Sequence, residues 1–273
     1  MSDYTAFIAG LPELVRDGKL ALSVEDFREQ AAVYVIGDDK KLLDMVFLNN
    51  DNAQVLRLLN KHNALQDVET VYSMDVLEAE IENPENNLPE YLNDFIVLFK
   101  DGYFDDKSLS PENGLNEMYY ESMKSSNNKF LASYAEFFLN LKNLTVAINA
   151  KKYSANIETE VIGNNEFAEA LRTNHSKDFG LSVEFAWTER VIALMEQTDL
   201  IEREKGIDML VWDFIDENLM FKYFSIERVI GFALQLLIVE RWSRMNTDSG
   251  RRIFMEMIEK FKNSLTFEKQ FES

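Results

Sequence analysis

Phe138-Leu-Asn-Leu-Lys-Asn143-Leu-Thr-Val-Ala-Ile-Asn-Ala-Lys151-Lys152 is the stretch whose reading decides the fold. It contains neither Pro nor Gly, and upstream Phe130, Tyr134, Phe137 and Phe138 recur at helical spacing. The pattern predicts a long helix from about Leu115 to Tyr153, broken near Lys124–Lys129. Its asparagines are the unusual part. An Asn amide competes for backbone groups and is a poor choice inside a helix unless it caps or reaches a neighbour.

Working outward, the same grammar recurs. Ser23-Val-Glu-Asp26 opens a helix with a Ser cap and first-turn acids, and Gly37-Asp38-Asp39 closes it. Lys40–Asn60 reads as helical with an interruption near Asn49–Asn52; Met74–Ile81 and Glu90–Lys100 follow. Ser108–Gly114 is the clearest internal boundary and Ser176–Leu181 the next. Beyond them lie an apolar helical face from Val183 to Met195, then Ile207–Tyr223, Ser225–Met245 and a last helix over Ile253–Phe261. Tyr4–Gly10 is ambiguous between strand and helix turn. No stretch alternates convincingly as a strand, and the expected class is all-α.

The chain also repeats itself. Phe47–Lys61 laid over Phe138–Lys152 without a gap aligns Phe47 with Phe138, Asn49 with Asn140, Asn52 with Asn143, Val55 with Val146 and Lys61 with Lys152. Asn52 and Asn143 stand 91 positions apart (143 less 52), one third of the 273 residues. A degenerate third copy falls at Leu237-Ile-Val-Glu240-Arg241-Trp242-Ser243-Arg244. Shared apolar positions can arise from helical drift, but shared Asn and Lys are harder to obtain that way. The expectation is three related helical lobes, over residues 1–107, 108–178 and 179–273, arranged about a pseudo-threefold axis or fused into one domain.

Composition narrows the function classes. With 28 basic and 48 acidic residues the net charge is -20, a field that repels nucleic-acid backbones and anionic lipid. There is no Cys, so disulfides, thiolate zinc sites and a Cys nucleophile are excluded. The most apolar stretch, Val229–Val239, falls short of the ~20 residues a bilayer helix needs and reads as a core helix. The start lacks a secretion-signal pattern, which points to the cytoplasm.

These residues resemble the C-subunit family of V/A-type ATPases (the d-subunit family in the eukaryotic enzyme), which repeats a helical unit three times. Phe138–Lys152 looks like its middle unit and Val161-Ile-Gly163-Asn-Asn-Glu166 like the turn that follows. Asp51-Asn52-Ala-Gln-Val-Leu-Arg57 is similar to the first unit and Glu240–Arg244 to the third. Asn140 and Ser243 depart from that family's pattern, which has an acid and an Asn at those places. The opening Tyr4-Thr-Ala-Phe-Ile-Ala-Gly-Leu-Pro12 resembles an uncharacterised bacterial family whose genes lie among V-type ATPase genes. The resemblance implies a funnel that seats the rotor shaft, subunits D and F, in a socket and rests on the membrane c ring at the cytoplasmic face. It implies partner-binding roles for Asn52, Lys61, Asn143, Lys152 and Arg244, no cofactor, and no insertion into the membrane.

Catalytic patterns are missing. Two histidines, His62 and His175, stand outside any metal-binding motif and read as surface residues. No phosphate-cradling Gly-rich loop and no G-x-S-x-G occurs. Asp38-Asp39 and Asp105-Asp106 do not match a calcium loop. The chain therefore reads as an interaction protein, not an enzyme. The alternative reading is a free-standing acidic scaffold that binds a basic partner.

Overall fold

A computed structural model describes residues 4–16, 20–65, 68–105 and 109–245. Among these the chain forms thirteen α-helices and no strand. The expected final helix over Ile253–Phe261 lies outside the described residues.

The longest element is α8 (Lys129–Tyr153), started by Asn128, whose side chain accepts from the Leu131 N–H, and ended by Ser154 in a left-handed conformation. Phe130, Leu131, Tyr134, Phe137, Leu141, Leu144 and Ala147 are all buried, covering more than one side of the helix. A helix apolar on several sides must sit inside. Accordingly α7 (Pro111–Lys124), α10 (Glu166–Thr173), α11 (Trp187–Met195), α12 (Leu200–Leu219) and α13 (Ile226–Met245) all pack against it. Phe137 stacks on Phe214 of α12 at 4.2 Å and meets Trp187 of α11 edge-on, while Trp187 stacks on Phe167 of α10. One aromatic cluster thus joins four helices, with offset and edge-to-face pairs adding to plain area burial.

The N-terminal part builds onto the same core. The ambiguous opening is a helix, α1 (Thr5–Gly10); α2 (Val24–Tyr34) begins at the Ser23 cap, as its sequence predicts. Gly37 does not end a helix. Its φ of 64° turns the chain, and it opens α3 (Gly37–Phe47), with α4 (Asn49–Leu59) continuing after Leu48. Next come α5 (Met74–Glu82) and α6 (Glu90–Lys100), and the short α9 (Ile157–Glu160) follows α8. A single apolar cluster extends from Tyr4 to Leu236, passing through both expected boundaries. Across the first of them Tyr119 donates to the Met45 carbonyl at 2.7 Å and packs on Tyr91. At α13, Gly231 lets α12 approach; an added methyl there would strike Leu219 and come within 3.2 Å of Ile215.

The two aligned units share a local plan. In each, a helix stops at a left-handed residue, Lys61 or Ser154, and the chain returns along it to a short helix, α5 or α10. Buried polar side chains hold that return. In the second unit Asn143 donates to the Ile162 carbonyl at 2.7 Å and accepts the Ile162 N–H at 3.1 Å. In the first, the Asp51 carboxylate accepts the N–H groups of Val71 and Tyr72, and Gln54 exchanges two bonds with the Leu65 backbone. Val71 and Ile162 are themselves 91 positions apart (162 less 71). The return segments carry few backbone partners of their own, so these side chains do for them what a sheet ladder would do elsewhere.

Removing such a clamp strands buried groups on the opposite segment. Asn143→Ala and Asp51→Ala should each lower stability by about 1–3 kcal/mol, the cost of an orphaned buried donor or acceptor. The better helix propensity of Ala returns at most ~0.7 kcal/mol of that. Urea unfolding of each variant checks it; an unchanged midpoint for Asn143→Ala contradicts the clamp.

Candidate functional site: a cavity where three segments converge

A cavity of about 530 Å³ lies where α2, α3, α4, α7, α8, α12 and α13 meet. Each aligned unit reaches it with its leading end. Phe47, Asn49 and Asn50 come from the first, Phe138 from the second, and Leu237, Ile238, Glu240, Arg241 and Arg244 from the degenerate third. Phe47 and Phe138 occupy the same repeat position and face the same space. Tyr119, Tyr120 and Met123 of α7 and Tyr134 of α8 complete an apolar, aromatic floor.

Charge is concentrated at the rim. Asp208 of α12 accepts from the Trp242 indole at 2.6 Å and pairs with Arg241. Glu240 spans two elements, accepting the Val24 N–H at 3.1 Å with one oxygen and Arg244 at 3.1 Å with the other. Arg28 donates to the Thr70 carbonyl at 3.1 Å, lies 3.8 Å from Glu69, and covers the Phe47 ring. These pairs fasten the start of α2, the end of α13 and the return segment to one another around the opening. With Arg241 and Arg244 about half or more in water, such pairs each contribute only ~0–1 kcal/mol, so they set geometry more than stability.

Titration follows from this crowding. Burial pushes the Glu69 carboxyl above its ordinary value, with Glu25 and Glu240 adding repulsion and Arg28 and Arg244 opposing it. Burial likewise raises the phenols of Tyr120 and Tyr134, which stay neutral at physiological pH. Among the described residues no group of three or more His, Asp or Glu is placed to hold a metal, and no helix is long and apolar enough to cross a membrane.

The five residues singled out from sequence are not gathered at this cavity. Asn52 and Asn143 are buried, at 5% and 2% exposure, and their side chains serve the interior; Asn52 accepts the Tyr91 hydroxyl at 2.7 Å. Lys61 and Lys152 are exposed at the far ends of their helices, Lys152 beside the Tyr153 ring. Arg244 alone of the five lines the cavity. What the repeat brings together is its leading aromatic and aliphatic positions. Phe47 and Phe138 were visible in the alignment, but an aromatic in a helical stripe reads as core, and Phe138 is in fact half-buried on the wall. His62 and His175 are both exposed, matching their reading as surface residues.

The described residues define an all-α fold with a cavity that Phe47 and Phe138 both line. Over residues 1–265 the chain matches the family described as "Protein of unknown function (DUF2764)", and it belongs to that family. No curated protein and no solved structure matches it.

Glu69 offers a check on the electrostatics of the rim. Its carboxyl binds a proton more tightly folded than unfolded, so its contribution to stability grows as pH falls toward 4.5, its ordinary value, and shrinks as pH rises to neutrality. Glu69→Gln removes that term. Urea unfolding across this range should show the variant losing less stability with rising pH than the parent; parallel curves would disprove the shift.

Proposed function

We propose that the protein is a non-catalytic coupling subunit of a V/A-type rotary ATPase, joining the central shaft, subunits D and F, to the membrane c ring from the cytoplasmic side. The observation that carries this reading is the convergence of the three aligned units on one cavity, with Phe47, Phe138, Leu237 and Ile238 on its walls. Such a coupler makes and breaks no bonds. It needs a recess that admits part of an axle and walls stiff enough to be pushed. A cavity of about 530 Å³ holds a few side chains or a loop tip, so the grip on a shaft would extend over the rim and the surface around it. The rim's paired acids and arginines, Glu240 with Arg244 and Asp208 with Arg241, supply groups that can exchange partners across such a contact.

The acidic surface also suits the scaffold reading, a free-standing adaptor that captures a basic protein. The two readings separate in one purification. Affinity capture of the tagged chain from its native cells should bring down ATPase shaft and ring subunits. Arg244→Glu, together with Leu237→Ala, should weaken that recovery several-fold while leaving the fold intact. Recovery of basic proteins without ATPase subunits would replace this reading with the scaffold.

A further inference from the structure

The helices α2 and α13 run antiparallel, which gives the molecule two distinct ends. At one end the Val24 N–H bonds to Glu240, beside the cavity rim; midway the Phe27 ring lies 5.3 Å from Phe232. The end of α2 and the start of α3 therefore lie beside the α12–α13 turn. That is some 20 Å from the rim, given ~1.5 Å per helical residue. Helix α1 ties these parts together: the Tyr4 hydroxyl donates to Asp39, its N–H reaches the Phe224 carbonyl at 3.4 Å, and Phe7 stacks on Tyr34 at 5.0 Å.

This far end is where apolar side chains are left in water. Of the thirteen exposed large hydrophobics among the described residues, seven belong to it: Val33, Tyr34 and Ile36 from the α2–α3 junction, and Met220, Phe221, Tyr223 and Phe224 from the α12–α13 turn. Phe221 is 80% exposed and Ile36 71%. Single exposed hydrophobics need no explanation, but a concentration of this kind marks an interaction surface. The turn that carries it is fixed in place. Arg228 donates to the Leu219 carbonyl at 2.6 Å and to the Lys222 carbonyl at 2.8 Å, and the Lys222 N–H closes onto Leu219. Rigid aromatics cost little entropy to bury, which is why such residues dominate the energetics of interfaces.

We propose that this end docks a segment of another protein that is apolar at its centre and flanked by Lys or Arg. The charges around the patch choose that occupant. Asp38 and Asp39 open α3, and Asp216 and Glu217 lie in the last turn of α12. Pairing of Lys41 with Asp38, Lys40 with Asp44 and Lys222 with Glu227 leaves only Arg228, itself held by two carbonyls, to offset Asp39, Asp216 and Glu217, so this end keeps an excess of negative charge. A second copy would bring another chain of net charge -20 against this one, and an anionic bilayer would be repelled by the same field. A cationic rim on the partner complements the acids, while its apolar centre covers the aromatics. The proposal stands on this end alone and is independent of what enters the cavity.

The test uses the full chain with Phe221→Ser and Tyr223→Ser combined, both side chains being exposed enough that urea unfolding should be unchanged. The probes are a short amphipathic Leu/Lys helical peptide, its Leu/Glu counterpart, and phosphatidylglycerol vesicles, with sedimentation to follow self-association. The Leu/Lys peptide should bind the parent, and the double variant about tenfold more weakly, as expected for loss of aromatic anchors. The Leu/Glu peptide and the vesicles should not bind. Equal binding of the Leu/Lys peptide by parent and variant overturns the proposal. So does vesicle binding, or self-association, that the double variant abolishes.

Discussion

Everything else in this structure depends on buried polar side chains that hold non-helical chain against helices. Asn143 satisfies both the N–H and the C=O of Ile162, and Asp51 takes two successive N–H groups at Val71 and Tyr72. A connecting segment cannot enter an apolar interior unless its backbone groups find partners there. Because these are satisfied, Val161 and Ile162 can be buried, and α10 can pack against α8. The aromatic cluster that joins α8, α10, α11 and α12 follows from that placement, and so does the wall on which Phe138 stands.

The same device explains what the sequence revealed and what it hid. Helical class and most elements were readable from period and caps: α6 spans Glu90–Lys100 as expected, and Ser23 caps α2. The interruption expected near Asn49–Asn52 is present at Leu48, between α3 and α4; its polar run was less legible as the start of a core helix. Asn49-Asn50-Asp51-Asn52 form the first turn of α4 after that break, with Asp51 and Asn52 turned inward. Likewise α12 starts at Leu200, before the expected Ile207, since Asp199 caps Ile201 and Glu202 while Glu202–Lys205 conceal the apolar period. Within the expected Ser108–Gly114 loop, Ser110 caps a helix that begins at Pro111.

The cavity was the least legible feature. Its walls come from residues whose types announce burial, and nothing in a single sequence distinguishes an aromatic packed on a neighbour from one facing a void. The asparagines drew notice because they are costly inside helices, but costliness marks a structural duty as readily as a contact surface. Their repetition did carry information about the fold. It located two segments with a common local plan, and the leading ends of those segments are the ones that meet at the cavity.

One consequence concerns compliance. Helix α8 is 25 residues long, a rod of roughly 37 Å. Phe138 faces the recess, while its neighbour Phe137 is stacked nearly parallel on Phe214, at an interplanar angle of 5°. A body leaning on Phe138 would load a beam braced one residue away by an aromatic sandwich and, a turn further on, by the Asn143 tether. Close-packed interiors deform little before they rearrange. That wall would transmit a displacement to α11 and α12 with little give, whereas the rim, fastened by exposed ion pairs, would yield first.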